Sequence, residues 1–321
     1  MTESDAIPVQ PFRTHLYDPT ELLAGFAADD DLSYTLTHDF AVYRAWIVAG
    51  SAHCSHVHAI AQAIHDSSIT EALDDWVADR RLVGIMGGHR MARSPDPASP
   101  YARVARLART LSRNGMTPVS GGGPGAMEAT HLGARTAGLE WDDVQAHLQD
   151  LATAAAFPEG MGELVARDGT TDLALVRRLH QWQAPAFRVW DATARQPGES
   201  LGIPTWHYGH EPPTPLATHI AKYFQNSVRE DGLLAIARHG VVFFPGAAGT
   251  VQEVFQDATQ NYYGLHGLVS PMVFVGVDHW TRVLPVWPVV QALFTDHEML
   301  HLTDDVDDAC DFLAAHPPRP A

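Results

Sequence analysis

The chain has 321 residues, of which 45% are hydrophobic and 18% charged, enough for one large α/β domain with an appended segment. No run of about 18 uninterrupted apolar residues occurs, so no membrane span is expected, and the acidic N-terminus, without a basic cluster ahead of an apolar stretch, does not read as a secretory signal. A formal charge of −17 argues against a nucleic-acid polymer as partner, yet it permits a small phosphate ligand held by backbone N–H groups.

In chain order, the first 30 or so residues read as an irregular arm ending in the acidic run Asp29–Asp31. Residues 40–80 read as helical, with Ala41, Tyr43, Trp46 and Ile47, then Ile60 and Ile64, recurring mostly at three- and four-residue steps. A β-α alternation starts after Arg81. The run 82–86 predicts a buried strand feeding the loop Gly87-Gly88-His89, and 101–113 a helix. A second strand is expected over 117–119, followed by the loop Ser120–Gly125 and a helix over 126–136. Residues 139–200 suit one or two helices with long connections, and 201–208 suits a strand. The pattern sharpens again with a helix over 220–237, a strand over 241–244, the loop Pro245–Gly249 and a helix over 250–263. A strand over 271–277 and a helix over 289–294 follow.

Short apolar strands alternating with helices predict a Rossmann-like, doubly wound α/β fold: a mostly parallel sheet with helices on both faces. With the N-terminal helical extension, the expected organisation is an arm and helices over 1–80 and a nucleotide-binding domain over 81–321. Both glycine-rich loops fall at strand C-terminal ends, where such sheets bind ligands.

The first loop, Ser120-Gly121-Gly122-Gly123-Pro124-Gly125, places four glycines within five residues ahead of a helix. Glycine permits close backbone approach, and the free N–H groups of the following helix attract an anion. The same residues scan as G-x-G-x-x-A (Gly121, Gly123, Ala126), a form of the dinucleotide fingerprint. Two features weigh against that reading. The loop lies on the second βα unit, and the acidic partner would be Asp142 or Asp143 in a polar, helix-like stretch. No G-x-x-x-x-G-K-[ST] string occurs, so a Walker-type site is not expected. In the second loop Thr250 can offer hydroxyl and amide together, but Thr250-x-x-Glu253 also scans as a capping box.

The two strings SGGGPGAMEA (120–129) and PGAAGTVQE (245–253) resemble the two signatures of the LOG, or "Lonely guy", family, approximately GGGxxGxM and PGGxGTxxE. The resemblance covers about residues 80–310 and includes Gly87-Gly88-His89 and Arg229. It implies a Rossmann-like homodimer that hydrolyses the N-glycosidic bond of a nucleoside 5′-monophosphate to free base and ribose 5-phosphate. Matched position by position, Glu253 and Arg229 take the family's catalytic places. Gly246, Ala247, Ala248, Gly249 and Thr250 take the phosphate loop, and Gly121, Gly122, Gly123, Gly125 and Met127 the first ligand loop, with Gly88 and His89 beside them. Ala247 departs from the pattern, putting a methyl group where the second glycine of PGGxGT stands.

A carboxylate near the anomeric carbon suits the positive charge that builds on a sugar as its glycosidic bond breaks. Arg229 also reads as a surface arginine beside Glu230 and Asp231. The run His53-Cys54-Ser55-His56-Val57-His58 matches no zinc signature, so neither metal nor cofactor is expected. Two cysteines, Cys54 and Cys310, give no disulfide framework, and a cytoplasmic protein is expected. The competing class is a non-catalytic nucleotide- or cofactor-binding carrier or sensor of the same fold.

Overall fold

The computed structural model describes residues 8–51, 54–206 and 211–321. Among the described residues three α-helices precede the first strand, α1 (Pro19–Leu22), α2 (His38–Val48) and α3 (His56–Val77), with a 3-10 turn at Ser33–Leu36 ahead of α2. Then follow β1 (Leu82–Met86), α4 (Pro100–Arg113), β2 (Thr117–Ser120), α5 (Ala126–Arg135), α6 (Trp141–Ala152), α7 (Leu173–Ala192), β3 (Leu201–Gly202) and β4 (His219–Ile220). The C-terminal part contains α8 (Asn226–Ile236), β5 (Val241–Phe243), α9 (Ala248–Tyr263), β6 (Leu268–Val269), β7 (Met272–Val275), α10 (Trp287–Leu293), β8 (Leu300–Thr303), α11 (Val306–Ala315) and β9 (Arg319–Pro320).

Seven strands form one sheet in the order β4-β3-β2-β1-β5-β7-β8, and every pairing in it is parallel. β6 and β9 form a separate antiparallel pair. This is the expected Rossmann-like α/β architecture. Strand alternation divides the core in two: Leu82 and Met86 of β1 face one hydrophobic cluster, Val83 and Ile85 the other. Helices α4, α5, α6 and α11 cover the second cluster, while α2, α3, α8, α9 and α10 contribute to the first. Chain order reverses direction between β1 and β5, so the crevice of this sheet lies above that pair.

Several boundaries differ from expectation. The helical stretch over 40–80 is two helices, and the arm contains the short α1, whose N-cap Asp18 accepts from the Glu21 amide. The helix expected over 220–237 begins only at Asn226, because Ile220 pairs in the sheet and the amides of Phe224 and Gln225 donate to the Asp66 carboxylate at 3.0 and 2.8 Å. The strand expected over 201–208 is restricted to Leu201–Gly202, with Pro204 unable to donate to a ladder; His207 and Tyr208 lie outside the described residues. β4, β8 and α11 have no counterpart in the sequence reading. β4 is two residues long, too short for a periodic signal, and Leu300–Thr303 mixes apolar and polar residues at the sheet edge.

The N-terminal helices share the first core cluster with the sheet. Tyr17 bridges Ile220 in antiparallel fashion, with N–O distances of 2.9 and 2.8 Å. Asp39 is fully buried and accepts from Lys222, from Trp206 Nε1 at 3.2 Å and from the Tyr34 hydroxyl at 2.8 Å. Burial pulls the Lys222 amine down and the Asp39 carboxylate opposes it. Removing one member of such a buried pair costs about 3–5 kcal/mol, since it strands the other charge. Asp39 and Asp66 thereby fix residues 220–225, the segment that launches α8.

Candidate functional site

Three loops converge above the crevice, following the adjacent strands β2, β1 and β5. They are tied by backbone hydrogen bonds: Gly88 N donates to Pro245 O at 3.3 Å, and Ala126 N donates to Gly88 O at 3.2 Å. Gly88 thus joins the loop before α5 to the loop before α9. Gly125, the residue preceding α5, has φ +71°, and a Cβ there would stand 2.5 Å from both Gly88 O and His89 O. Gly121, Gly122, Gly123 and Gly125 are all buried, whereas Ala247, Ala248 and Gly249 are exposed.

The start of α9 corrects the capping-box reading. The helix opens at Ala248, its N-cap is Ala247, and no side chain caps it. Thr250 is therefore the third helical residue, and Glu253 lies a turn inside. The first intrahelical bond is donated by Val251 to Ala247 O, so the amides of Ala248, Gly249 and Thr250 precede the helical ladder. An uncapped N-terminus of a 16-residue helix offers converging donors and a positive dipole end. The Thr250 side chain is buried and packs over Gly246, where an added Cβ would fall 2.1 Å from Thr250 Oγ1. Ala247 adopts an extended conformation, φ −115° and ψ −150°, so its methyl group meets no conformational obstacle.

Glu253 is partly exposed by area, yet surrounded by enough protein for burial to push its carboxyl up to about 7; Arg229 opposes the shift and Glu230 adds to it. Arg229 stands at the end of the first turn of α8. Its Nε donates to Ile203 O at 2.8 Å, and the guanidinium lies against Gly121, where a Cβ would be 2.2 Å from one Nη. Arg229 is thus directed to the first glycine loop and acts on Glu253 electrostatically. Met127 covers the same loop, its sulfur 2.6 Å from a Cβ built at Gly121. Below the loop, Ser120 Oγ contacts His131 Nε2 at 2.9 Å, and His131 Nδ1 contacts Ser200 Oγ at 2.9 Å. Burial drives the His131 pKa down to about 3, so the ring is neutral and serves as a fixed strut.

The structure therefore brings the glycine loops, Arg229 and Glu253 to one crevice. It adds Glu211, which the sequence reading missed because no motif surrounds it. Thr214 N donates to Gly122 O at 2.9 Å, anchoring the Glu211 segment to the first loop. Burial raises the Glu211 carboxyl, against the opposing charges of His89, Arg229 and Lys222. Among the described residues no group of three histidine, cysteine or carboxylate side chains is placed to hold a metal, and His53 lies outside them. No helix of the described residues is long and apolar enough to cross a membrane.

The fold, with its glycine-rich loops at the switch point, defines a Rossmann-like α/β protein. Residues 187–315, which include the second loop but not the first, match the family described as possible lysine decarboxylase, and this match supports the resemblance of the two loops to the LOG family. No curated protein matches the chain. Similar solved structures include the molybdenum cofactor carrier protein from Chlamydomonas reinhardtii, at 15% identity and a TM-score of 0.40 over 74% of this chain and 99% of that one. The molybdenum cofactor binding protein from the phototrophic bacterium Rippkaea orientalis is similar at 10% identity and a TM-score of 0.42, over 74% of this chain and 96% of its own.

Proposed function

We propose that this protein hydrolyses the N-glycosidic bond of a nucleoside 5′-monophosphate, releasing free base and ribose 5-phosphate, and that it works as a cytoplasmic homodimer. The observation that carries the reading is the uncapped start of α9 with Glu253 one turn inside it, under the field of Arg229. In this reading the 5′-phosphate accepts hydrogen bonds from the amides of Ala248, Gly249 and Thr250, with the Thr250 hydroxyl available beside them. The anomeric carbon then lies near Glu253.

As the C1′–N bond breaks, its electron pair leaves with the base and positive charge develops on the ribose ring. The ionised Glu253 carboxylate stabilises that charge and takes a proton from the attacking water, whose oxygen bonds to C1′; the departing base is protonated in turn. Arg229 favours the ionised form of Glu253 and supplies a positive group beside the first loop. Because the carboxylate is the working form, activity should rise as pH passes upward through about 7, the value to which burial pushes Glu253.

Incubation with a panel of nucleoside monophosphates, followed by chromatography for free base, tests the activity. Glu253→Gln should lower turnover by roughly 100-fold or more, with nucleotide affinity and melting temperature nearly unchanged. Arg229→Ala should lower it too, non-additively with the first change. Tight nucleotide binding without any free base would overturn hydrolysis and leave a binding protein. A fully active monomer in light scattering would overturn the dimer.

A further inference from the structure

Beside the crevice, on the side away from α9, lies a cavity of about 700 Å³ within the size range of small-molecule sites. Its wall joins His89 and Arg90 from the loop after β1 to Phe157, Pro158 and Met161 from the long α6–α7 connection, with Glu159 and Glu211 as its carboxylates. Glu211 approaches the first glycine loop closely: a Cβ at Gly123 would stand 3.2 Å from Glu211 Oε2.

We propose that this cavity is the base chamber and that Glu211 is a specificity residue, accepting hydrogen bonds from an amino group on the base. The inference rests on the nucleotide reading above. Three arguments carry it. The first is reach: β5, β1 and β2 are neighbours, and two strand steps span roughly 10 Å. That distance takes a ligand from a phosphate at α9, across Gly88, to a ring beyond Gly123. The second is sign. An acidic side chain repels phosphate and, when ionised, only accepts hydrogen bonds, so its ligand partner must be a donor. The third is shape. In a wall that is otherwise mostly polar, Phe157 and Pro158 supply one apolar side against which a flat ring can lie.

The position of Glu211 is itself prepared. Thr214 pins its segment to Gly122, and Lys222, held by Asp39, contributes one of the positive charges acting on it, with His89 and Arg229 the others. Burial raises the Glu211 carboxyl, and these charges oppose that rise and so support the carboxylate, the acceptor form. A chamber built this way selects bases bearing an amino group over those bearing an oxo group at the same position.

Calorimetry in a Glu253→Gln background, where turnover does not consume ligand, tests this with the pairs AMP and IMP, and CMP and UMP. In at least one pair the amino member should bind about tenfold tighter, the usual scale for a specific hydrogen bond to a charged group. Adding Glu211→Gln should bring that ratio within about threefold and leave ribose 5-phosphate affinity unchanged, since the amide can also donate to an oxo group. An unchanged ratio, no amino preference in either pair, or an equal loss for ribose 5-phosphate would overturn the role of Glu211 while leaving the nucleotide reading intact. Failure to bind any of the nucleotides or ribose 5-phosphate would overturn both. A Glu211→Ala protein with a normal melting temperature and an unaltered ratio would likewise reduce Glu211 to a charge partner of Arg229.

Discussion

In the loop after β2 every glycine is buried, and at Gly125 an added carbon would collide with two carbonyl oxygens at 2.5 Å. In the loop after β5, Gly249 is exposed and a Cβ there would meet nothing within 4 Å. Both loops are glycine-rich and both launch a helix, but glycine answers two different demands. After β2 it permits backbone to pack on backbone, which holds three loops together. After β5, Gly246 is covered by Thr250, but Gly249 leaves space in front of free amides, which matters only when something occupies that space.

The comparison predicts opposite phenotypes. Gly125→Ala combines a left-handed backbone with overpacking, which together cost on the order of 3 kcal/mol. Chemical denaturation should show that loss; a variant as stable as the parent would mean the loops are not packed as described. Gly249→Val should do the reverse, keeping the melting temperature within a degree or two while weakening nucleotide monophosphate binding by about tenfold or more, since its side chain fills the space ahead of the amides. If calorimetry finds affinity intact, the phosphate does not sit at α9.

A third expectation uses Asp257, one turn beyond Glu253 on α9. It is 4% exposed, its Oδ2 has no hydrogen-bond partner, and burial pushes its pKa up to about 8. The folded chain thus keeps a proton that the unfolded chain releases near the ordinary 3.8. Between those values the native state binds more protons, so stability falls as pH rises and the full penalty is present above about 8. Asp257→Asn removes that penalty. Its melting temperature should exceed the parent's at about pH 9, with the gap closing toward about pH 4; equal temperatures at alkaline pH would show that the carboxyl ionises freely. The smallest effect is expected from Ala247→Gly. Position 247 is already extended, so restoring the LOG pattern should change nucleotide affinity by no more than about twofold and lower stability by about 0.5 kcal/mol through added chain entropy. A large gain in affinity would mean that the methyl group obstructs the ligand.

Much of this molecule was legible in its residues. The apolar runs of β1, β5 and β7 are buried on both faces, so their composition alone marks them, and glycine clusters mark the loops that follow β2 and β5. Glu253 and Arg229 were named through the LOG resemblance, whereas composition left capping and surface roles open. What the helix start at Ala248 decided is that Thr250 and Glu253 do not form a capping box, a matter of two residues that periodicity does not resolve.

The alternating pattern, the glycine loops and the acidic charge follow from local propensity and burial, which neighbouring residues encode. Sheet order, and with it the crevice between β1 and β5, depends on which strands meet across the chain. So does the use of the N-terminal helices: Asp39 and Asp66 lie 183 and 158 residues from the Lys222 and Phe224 groups they hold. Glu211 reaches the first loop through the same kind of long-range packing. No window of sequence contains both halves of such contacts, so only the folded chain determines them.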